Sequence, residues 1–491
     1  MVSHNQNHFI VISFPAQGHL NPTLQFAKRL LRTGARVTYF TTLSAHKRLL
    51  ESSSSSNGSN PNTSNIDGLT YAPFSDGYDD GFKGGLDDAD HFLSEIARCG
   101  SQALRKLIQS AHDGGSGSVT CIIYAILVPW VAEVAHDLQI PSFLLWIQPA
   151  MVFDIYYYYF NGYKDVICNN NNDPSYPINL PNLPLLSCTD IPTFFLPTNL
   201  YTWALSLFEN QFKVFEEESK PVKVLVNTFD ELELDALKAV DFNKINLIGI
   251  GPLIPSAFLD GQDLSDKSFG GDLVSAVTTD EYKDWLDSKE EASVIYVSFG
   301  SISVLEHQQM EEIFRGLTDC GFPFLWVCRE KGSKQEGSEA AKEEESVLSR
   351  IKREGSEQGK IVSWCSQVEV LSHSSIGCFI THCGWNSTLE SLVGGVPLIG
   401  FPQWTDQGTN AKLIEDVWKV GVRMRVNEEK KIVDREEVSR CVKMVMGNEE
   451  MKRNAKKLKE LAKNAAKEGG SSGRNLRGFV EEIGGLEGTK E

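Results

Sequence analysis

Residues whose types and spacing could carry chemistry lie at two places in the chain. The first is the stretch 17–22, QGHLNP, which directly follows an apolar run. Histidine titrates close to neutral pH, so His19, at the turn between a strand and a helix, is a candidate general base. Its position alone gives equal weight to a capping or core histidine, because imidazoles also fill structural roles.

The second place is the stretch 364–407, and its central turn has the features of an anion site. Residues 381–387, THCGWNS, join an apolar strand-like run to a helical one. Free backbone N–H groups and the positive end of the helix dipole point at such a turn. Gly384 permits close backbone approach, and Asn386 and Ser387 add side-chain donors. The turn therefore favours an anionic, nucleotide-like ligand.

The residues that flank this turn suit the rest of a nucleotide sugar. Trp364 follows a predicted strand and offers a ring for stacking on a base, while Glu390, one turn into the helix, offers oxygens to ribose hydroxyls. Asp406 and Gln407 open another predicted helix and offer partners for sugar hydroxyls. Any one of these residues is compatible with an ordinary strand-to-helix connection, and it is their grouping that favours a binding site.

Two series of strands and helices must position these residues. The run 9–14 predicts a buried strand, Asn21-Pro22 predicts a helix start, and 36–41 predicts the next strand. This βαβ pattern indicates a parallel sheet. Further strands of the first series are predicted at 120–124, 142–146 and 223–227. The second series begins near residue 292, with strands predicted at 294–299, 324–328, 360–363, 378–381 and 396–401.

We therefore predict an α/β protein built from two facing, doubly wound domains, with ligands in the cleft at the carboxyl ends of the strands. The predicted divisions are a first domain over 1–250, a linker rich in Pro, Gly, Ser and Asp over 251–280, a second domain over 281–473, and a final helix over 474–491. At roughly 100–200 residues per domain, the chain length agrees with this division.

Composition narrows the classes of partner. The chain has 491 residues and a formal net charge of −18, so bulk charge does not favour a nucleic acid or an anionic membrane. The ten cysteines show no C-x-x-C spacing, which argues against a zinc framework and favours reduced thiols. No secretory signal or membrane-spanning run is evident, and we expect a monomeric protein of the cytoplasm.

The stretch 364–407 resembles the signature box of the plant family 1 UDP-glycosyltransferases of secondary metabolism. The resemblance extends through the 18–19 turn over essentially the whole chain and implies the GT-B fold, two facing Rossmann-like domains. The first domain would bind an acceptor and the second the donor UDP-glucose, with the final helix packing back on the first domain. Four stretches also resemble the branch that contains crocetin, abscisate and anthocyanin 5-O-glucosyltransferases: 75–82, 144–150, 154–163 and 251–261.

The resemblance also implies a role for each position of the box. Trp364 and the backbone of Cys365 would hold uracil, and Gln367 and Glu390 the ribose. The diphosphate and hexose positions form a longer set: His382, Gly384, Asn386, Ser387 and the loop residue Ser301 for the diphosphate, and Trp385, Asp406 and Gln407 for the hexose. A closing glutamine is associated with glucose, and a tryptophan rather than an arginine at 385 disfavours glucuronate.

The implied reaction is an in-line displacement at the anomeric carbon with inversion. His19 would take the acceptor proton, while His382 and the helix start would stabilise the departing UDP. The resemblance implies no metal and no cofactor besides the donor substrate.

One departure from the family pattern bears on the acceptor. The family places an aspartate beside the catalytic histidine near residue 125, where this chain has Ala125. Without that carboxylate, the imidazolium form of His19 is stabilised less and its basicity falls. We expect a carboxylic acid acceptor, which ionises unaided and would give a glucose ester. The alternative acceptor is an acidic phenol such as an anthocyanin or another flavonoid. The hydroxyl of Tyr124, or a carboxylate elsewhere in the chain, is an alternative partner for His19.

Other classes of protein fit the sequence less well. A nicotinamide dehydrogenase needs G-x-G-x-x-G after a strand, whereas Gly249-Ile250-Gly251 is followed by proline. The hydrolase pattern G-x-S-x-G occurs at 469–473 without a predicted strand before it. A non-catalytic binding protein for nucleotide sugars remains an alternative that would keep the 364–407 box without needing His19.

Overall fold

The structure is a computed structural model, and every structural statement below concerns the residues that it describes. These are residues 6–54, 66, 68–84, 87–113, 118–169, 173, 176–197, 199, 201–218, 220–241, 243–267, 269, 279–300, 305–328, 349, 351, 353, 358–427 and 429–487.

The chain divides into two compact units that interleave along the sequence. The first unit comprises Met1–Cys188, Thr193–Ser275 and Asn464–Glu491, and the second comprises Thr189–Pro192 and Ala276–Lys463. The second unit thus includes a four-residue segment that lies in sequence between two stretches of the first unit. The first unit in turn includes residues 464–473, which we had assigned to the second domain.

A parallel sheet forms the centre of the first unit. Its strands are β1 His8–Ile12, β2 Arg36–Thr42, β3 Leu69–Phe74, β4 Cys121–Ala125, β5 Ser142–Trp146, β6 Val222–Val226 and β7 Ile245–Gly249. Its helices are Gln17–Arg32, Leu43–Ser54, Ala89–Asp113, Trp130–Asp137, Ala150–Tyr158, Lys164–Cys168, Thr202–Glu217, Asp230–Glu233 and Ser471–Glu487. The strand order is β3-β2-β1-β4-β5-β6-β7. Because every residue of β1 and β4 is buried, and all but His8 of β1 are hydrophobic, helices must cover both faces of this sheet.

The second unit repeats the plan. Its strands are β8 Val294–Ser298, β9 Phe324–Val327, β10 Gly359–Val362, β11 Ile376–Thr381, β12 Leu398–Gly400 and β13 Gly421–Arg423, in the order β10-β9-β8-β11-β12-β13. Its helices are Thr279–Asp287, His307–Cys320, Gln367–Ser372, Trp385–Gly394, Gln407–Lys412, Arg435–Met446 and Glu449–Ala466, the last continuing into the first unit. All strand pairs of the described residues are parallel, which confirms the α/β class.

Each sheet reverses its strand order at one point, between β1 and β4 in the first unit and between β8 and β11 in the second. The connections that leave neighbouring strands there run to opposite faces of the sheet, so a crevice opens at the carboxyl ends of those strands. The residues that follow β1, β4, β8 and β11 are therefore the ones that each fold places at a ligand-binding position.

The helix after β1 begins earlier than the sequence predicted. Asn21 and Pro22 do not start it; the helix runs from Gln17, with Ala16 as its N-cap and Pro22 inside it. Leu20, Asn21 and Pro22 are all buried, so packing outweighs the local preference for a helix start at a proline. His19 consequently lies on the first helical turn rather than in a loop.

The stretch predicted as a linker is not a free spacer over its described part. Arg29 donates to the backbone carbonyl of Ile250 at 2.8 Å, and Lys28 pairs with Asp266 at 2.6 Å. Arg32 reaches Asp260 at 3.2 Å. One basic face of the helix Gln17–Arg32 thus holds residues 250–266 on the first unit, an arrangement that local composition does not encode.

The final helix, Ser471–Glu487, also belongs to the first unit. Phe479 is buried, with its ring 5.0 Å from that of Phe143 and 6.4 Å from that of Phe9. Asn475 donates to the carbonyl of Gly249 at 2.9 Å. Among the described helices, none has both the length and the apolar character needed to cross a bilayer.

Candidate active site

His19 lies at the reversal point of the first sheet, on the helix that follows β1. Its backbone carbonyl accepts the Thr23 hydroxyl at 2.7 Å, and its imidazole lies 5.3 Å from the Phe14 ring. The imidazole Nδ1 is buried and has no hydrogen-bond partner among the described residues. Burial lowers the pKa of His19 from its usual 6.5 to about 4. At neutral pH the ring is therefore uncharged and able to accept a proton.

The neighbouring strand β4 ends at Ala125, which is completely buried. Tyr124, named above as an alternative partner for His19, has its hydroxyl occupied elsewhere, because it accepts from Gln211 at 3.0 Å. Among the described residues, Nδ1 of His19 bonds neither to the Tyr124 hydroxyl nor to any group at position 125.

Aromatic side chains gather beside the histidine. Phe92 lies 6.4 Å from Phe14, 4.7 Å from Phe82 and 5.0 Å from Tyr78, measured between ring centroids. Phe82 is 38% exposed, whereas Phe14 and Phe92 are buried. The sequence 75–82 was recognised only as part of a family resemblance; its fold brings an apolar, partly open wall close to His19.

In the second unit, a network of hydrogen bonds joins residues of the 364–407 box. Gln367 donates to Ser387 Oγ at 2.9 Å and to Glu390 Oε2 at 2.8 Å. The Gln367 side-chain oxygen accepts the Tyr296 hydroxyl at 3.2 Å. Glu390 and Ser387 are buried at the start of the helix Trp385–Gly394. The network fixes a carboxylate and a hydroxyl next to the carboxyl end of β11.

Trp364 and Cys365 lie in the connection after β10. Trp364 is partly exposed and free of secondary structure, so its ring has access to solvent. Cys365 is buried, with its Sγ 3.4 Å from the Tyr296 hydroxyl. The sulfur therefore faces the protein interior.

His382 occupies the turn between β11 and the next helix, and two glycines make room for its ring. A Cβ at Gly384 would lie 2.4 Å from the imidazole Nε2, and one at Gly300 would lie 2.7 Å from Cε1. Gly384 is also predicted to let a ligand approach the backbone, and the lack of a side chain there leaves room for the histidine ring. Burial, opposed by a hydrogen bond with the Ser298 backbone, lowers the pKa of His382 to about 4.

The helix that follows this turn begins at Trp385, with Asn386 and Ser387 next in its first turn. They lie at a helix start, where backbone N–H groups and the helix dipole favour an anion. The indole of Trp385 is only 4% exposed and lies 6.1 Å from the Trp418 ring. A ligand at this turn would therefore meet the backbone of Trp385 rather than its side chain.

Gln407 opens the helix Gln407–Lys412 and has a defined orientation. Its side-chain oxygen accepts the backbone N–H groups of Gln403 at 2.8 Å and of Trp404 at 3.1 Å. Because both bonds use the carbonyl oxygen, the amide NH₂ is the group left to meet a sugar hydroxyl.

Asp406, the N-cap residue of the same helix, is held by two side-chain hydrogen bonds. Its two carboxylate oxygens accept the Thr405 hydroxyl at 2.7 Å and the Asn410 side-chain amide at 2.9 Å. Asn410 is completely buried and also donates to the Cys383 carbonyl at 2.7 Å. Cys383 itself has a left-handed backbone with φ of 64°. Asn410 thus connects the turn at His382 with the carboxylate of Asp406.

Comparison with known proteins identifies the family. Residues 265–468 match the family model described as UDP-glucoronosyl and UDP-glucosyl transferase. The chain is 58% identical to phloretin 4'-O-glucosyltransferase of Malus domestica, over 97% of this chain and 98% of the relative. The chain belongs to this transferase family. It is also 53% identical to a Gardenia jasminoides protein named crocetin glucosyltransferase, chloroplastic, with 98% of each chain covered.

Solved structures of the UDP-glycosyltransferases share the fold. Os79 from O. sativa, determined in complex with UDP, superposes with a TM-score of 0.79 at 31% identity, over 97% of this chain and 100% of Os79. The GT-B class, the membership of the plant family 1 branch and the assignment as a UDP-glucose-dependent O-glucosyltransferase, all predicted from sequence, are confirmed. The enzyme acts on plant small molecules, with the acceptors of its relatives mixed.

One predicted donor residue of the glycosyltransferase, Ser301, lies outside the described residues. Sequence reasoning in turn missed residues that the fold adds to the box, notably Tyr296 and Asn410. Tyr296 reaches Gln367 across 71 positions of sequence, so no local pattern signals the contact. Within the described part of the chain, no group of three or more His, Cys, Asp or Glu side chains is arranged to hold a metal ion.

Proposed function

We propose that this enzyme transfers glucose from UDP-glucose to a small, readily ionised plant metabolite, and that the favoured acceptor is a carboxylic acid. The observation that carries the acceptor class is the buried Nδ1 of His19, which has no hydrogen-bond partner among the described residues. A histidine in that setting is a weak base, and an acceptor that is already an anion needs little help from it.

For the donor, we assign uracil to the accessible ring of Trp364 and to the backbone of Cys365. The hydrogen-bonded Gln367 and Glu390 would hold the ribose hydroxyls, since Glu390 is a buried carboxylate and so a strong acceptor. The hexose would meet the backbone of Trp385, the carboxylate of Asp406 and the amide NH₂ of Gln407.

The diphosphate position is assigned to the turn at His382 and to the helix start with Asn386 and Ser387. Since His382 has a pKa of about 4, it is neutral at pH 7 and acts as a hydrogen-bond donor rather than as a cation. The helix start therefore provides most of the positive potential that stabilises the departing UDP. We extend the assignment to Ser301 on the family resemblance alone.

In the proposed step, the acceptor oxygen forms a bond to the anomeric carbon while the bond from that carbon to the diphosphate oxygen breaks. Attack opposite the leaving group inverts the anomeric configuration. An acceptor hydroxyl gives its proton to the imidazole of His19, whereas a carboxylate arrives without one. The electron pair of the broken bond leaves on UDP.

The pKa of His19 sets the preference among acceptors. The pKa of the imidazole, about 4, is close to that of a carboxylic acid, roughly 4. Such an acid is already ionised at neutral pH and needs no base. A phenol of pKa about 10 has to be deprotonated by a base that is much weaker than its own anion. An aliphatic alcohol, with a higher pKa still, would react slowest.

An acidic phenol is the second candidate, and a specific observation favours it. The Malus domestica relative, at 58% identity, is named as a phloretin 4'-O-glucosyltransferase, so its acceptor atom is a phenolic oxygen. The Gardenia jasminoides relative, at 53% identity, is named for crocetin, a carboxylic acid. The two relatives thus support one candidate each.

The test is transfer from UDP-glucose to matched acids, phenols and aliphatic alcohols, with wild type and His19→Ala compared. We expect wild type to favour acids over alcohols, with alkali-labile ester products. Loss of the base should slow phenol transfer by about 10²- to 10⁴-fold and acid transfer far less. Faster transfer to alcohols than to acids, or equal losses for acids and phenols, would contradict the acceptor assignment.

Ala125→Asp and its uncharged match Ala125→Asn test the role of the missing carboxylate. An aspartate next to His19 should raise the pKa of the imidazole and speed transfer to phenols, whereas Ala125→Asn should not. If both variants change phenol transfer alike, the charge is not the cause. The cytoplasmic location and monomeric state stay predictions, which cell fractionation and sedimentation would check.

A further inference from the structure

The segment Thr189–Pro192 lies in the sequence between two stretches of the first unit but packs within the second. It contacts the helix Gln407–Lys412, which begins with Gln407 and has Asp406 as its N-cap. The sequence gives no sign of this contact, since more than 200 residues separate the partners.

An ion pair fastens the segment. Arg423, at the end of β13, approaches Asp190 Oδ1 at 2.8 Å, and Lys412 lies 3.9 Å from Asp190 Oδ2. The side chains of Asp190 and Arg423 are only 7% and 16% exposed. A carboxylate this far removed from water needs a charged partner, so loss of either residue would disturb the other.

The same arginine also reaches the helix. Arg423 Nη2 donates to the Gly408 carbonyl at 2.9 Å, and its Nη1 lies 3.3 Å from the Thr189 carbonyl oxygen. One guanidinium therefore joins the segment, the helix and the end of the sheet. Its planar set of donors suits three acceptors at fixed positions.

The backbones of segment and helix are also in direct contact. Thr409 is completely buried and donates its hydroxyl to the Asp190 carbonyl at 2.7 Å. A Cβ at Gly408 would lie 2.4 Å from the Thr189 carbonyl oxygen, so only glycine fits there. The segment thus holds the first turn of the helix through Gly408 and Thr409, neither of which is a predicted donor residue.

We propose that Thr189–Pro192 is a positioning element for the hexose part of the donor site. This rests on the proposed function, in which Asp406 and Gln407 bind the hexose. By holding Gly408 and Thr409, the segment keeps those two residues aimed at the sugar. The network that would bind uridine, Tyr296 with Gln367 and Glu390, is built from other contacts and does not depend on it.

The experiment compares the binding of UDP with that of UDP-glucose by calorimetry, together with the KM for UDP-glucose. The variants are Asp190→Asn, which removes the charge, and Thr409→Val, which removes only the hydroxyl. We expect each to weaken UDP-glucose binding about tenfold, the equivalent of one hydrogen bond to a charged or buried group, with UDP binding changed less than about twofold.

Asp416→Asn is the matched control, because Asp416 pairs with the same Lys412 at 2.6 Å but is 51% exposed. It should leave both ligands unaffected. Equal losses of UDP and UDP-glucose binding in the Thr409→Val variant would show general destabilisation and overturn the proposal, as would unchanged binding of both. If wild type itself binds UDP but does not turn over UDP-glucose, the proposed function fails instead.

Discussion

The substitution Tyr296→Phe removes one hydroxyl of the proposed uridine site, which also lies 3.4 Å from Cys365 Sγ. The Tyr296 hydroxyl donates to the Gln367 side-chain oxygen at 3.2 Å, while the ring stacks on Phe379 with a centroid distance of 4.8 Å. Tyr296 is 1% exposed, so water has little access to replace the lost donor. Phenylalanine keeps the stack and removes only the hydroxyl.

The expected size follows from that geometry. A net hydrogen bond contributes about 0.5–1.5 kcal/mol, and a buried acceptor left without a donor costs about 1–3 kcal/mol. Gln367 keeps its bonds to Ser387 and Glu390, so it is released only in part. We expect a loss of about 1 kcal/mol, or roughly fivefold weaker binding. UDP and UDP-glucose should lose the same factor, because both contain the ribose.

Calorimetric titration with UDP and with UDP-glucose measures this directly. Tyr158→Phe is the matched control: Tyr158 is also buried, and its hydroxyl donates to the Ala239 carbonyl at 3.0 Å in the first unit. It should leave UDP affinity unchanged. If Tyr296→Phe binds UDP as tightly as wild type, or if the control weakens UDP binding equally, the network of Gln367 does not hold the ribose.

Two further predictions concern histidines. Gly384→Ala should displace the His382 ring and lower kcat/KM for UDP-glucose at least about tenfold. The control Gly478→Ala, at a position with open space, should leave kcat/KM unchanged. Equal kcat/KM values for the two variants would contradict the placement of the ring. Burial and Arg36 lower the pKa of His8 to about 4. Between pH 4 and 6.5 the folded state therefore binds fewer protons than the unfolded state. The free energy of unfolding that His8 contributes above pH 6.5 is lost as the pH drops towards 4. In urea unfolding, His8→Asn should reduce this acid loss by up to about 1.4 kcal/mol per pH unit, and an unchanged loss would exclude His8 as a contributor.

Much of the sheet architecture was predictable because buried parallel strands are apolar runs. The strands around the reversal points, β1, β4, β8 and β11, all fall within two residues of their predicted positions. Those that were missed lack that signal. β3 is an edge strand containing Pro73, β7 alternates buried and partly exposed residues, and β13 has only three residues. Pairing with a neighbour, rather than local sequence, makes them strands.

The candidate donor site was predictable to the extent that its residues are continuous in sequence. The turn at His382 and the helix start at Trp385 could be located because strand, turn and helix follow one another. What holds them is discontinuous: Tyr296, Asn410 and the segment Thr189–Pro192 act through contacts that only the tertiary fold creates. The misplaced helix start at Asn21 has the same cause, since burial outweighed a local signal.

The return of the chain's last helix to the first unit has a consequence during translation. Phe479 packs near Phe9 and Phe143, on β1 and β5, and Asn475 bonds to the end of β7. While the ribosome is still making the second unit, the apolar surface that this helix covers has no protection. Domains usually fold in the order of synthesis, but here the unit begun first is the last to be completed. We therefore expect removal of residues 471–487 to cause aggregation rather than a selective loss of donor binding.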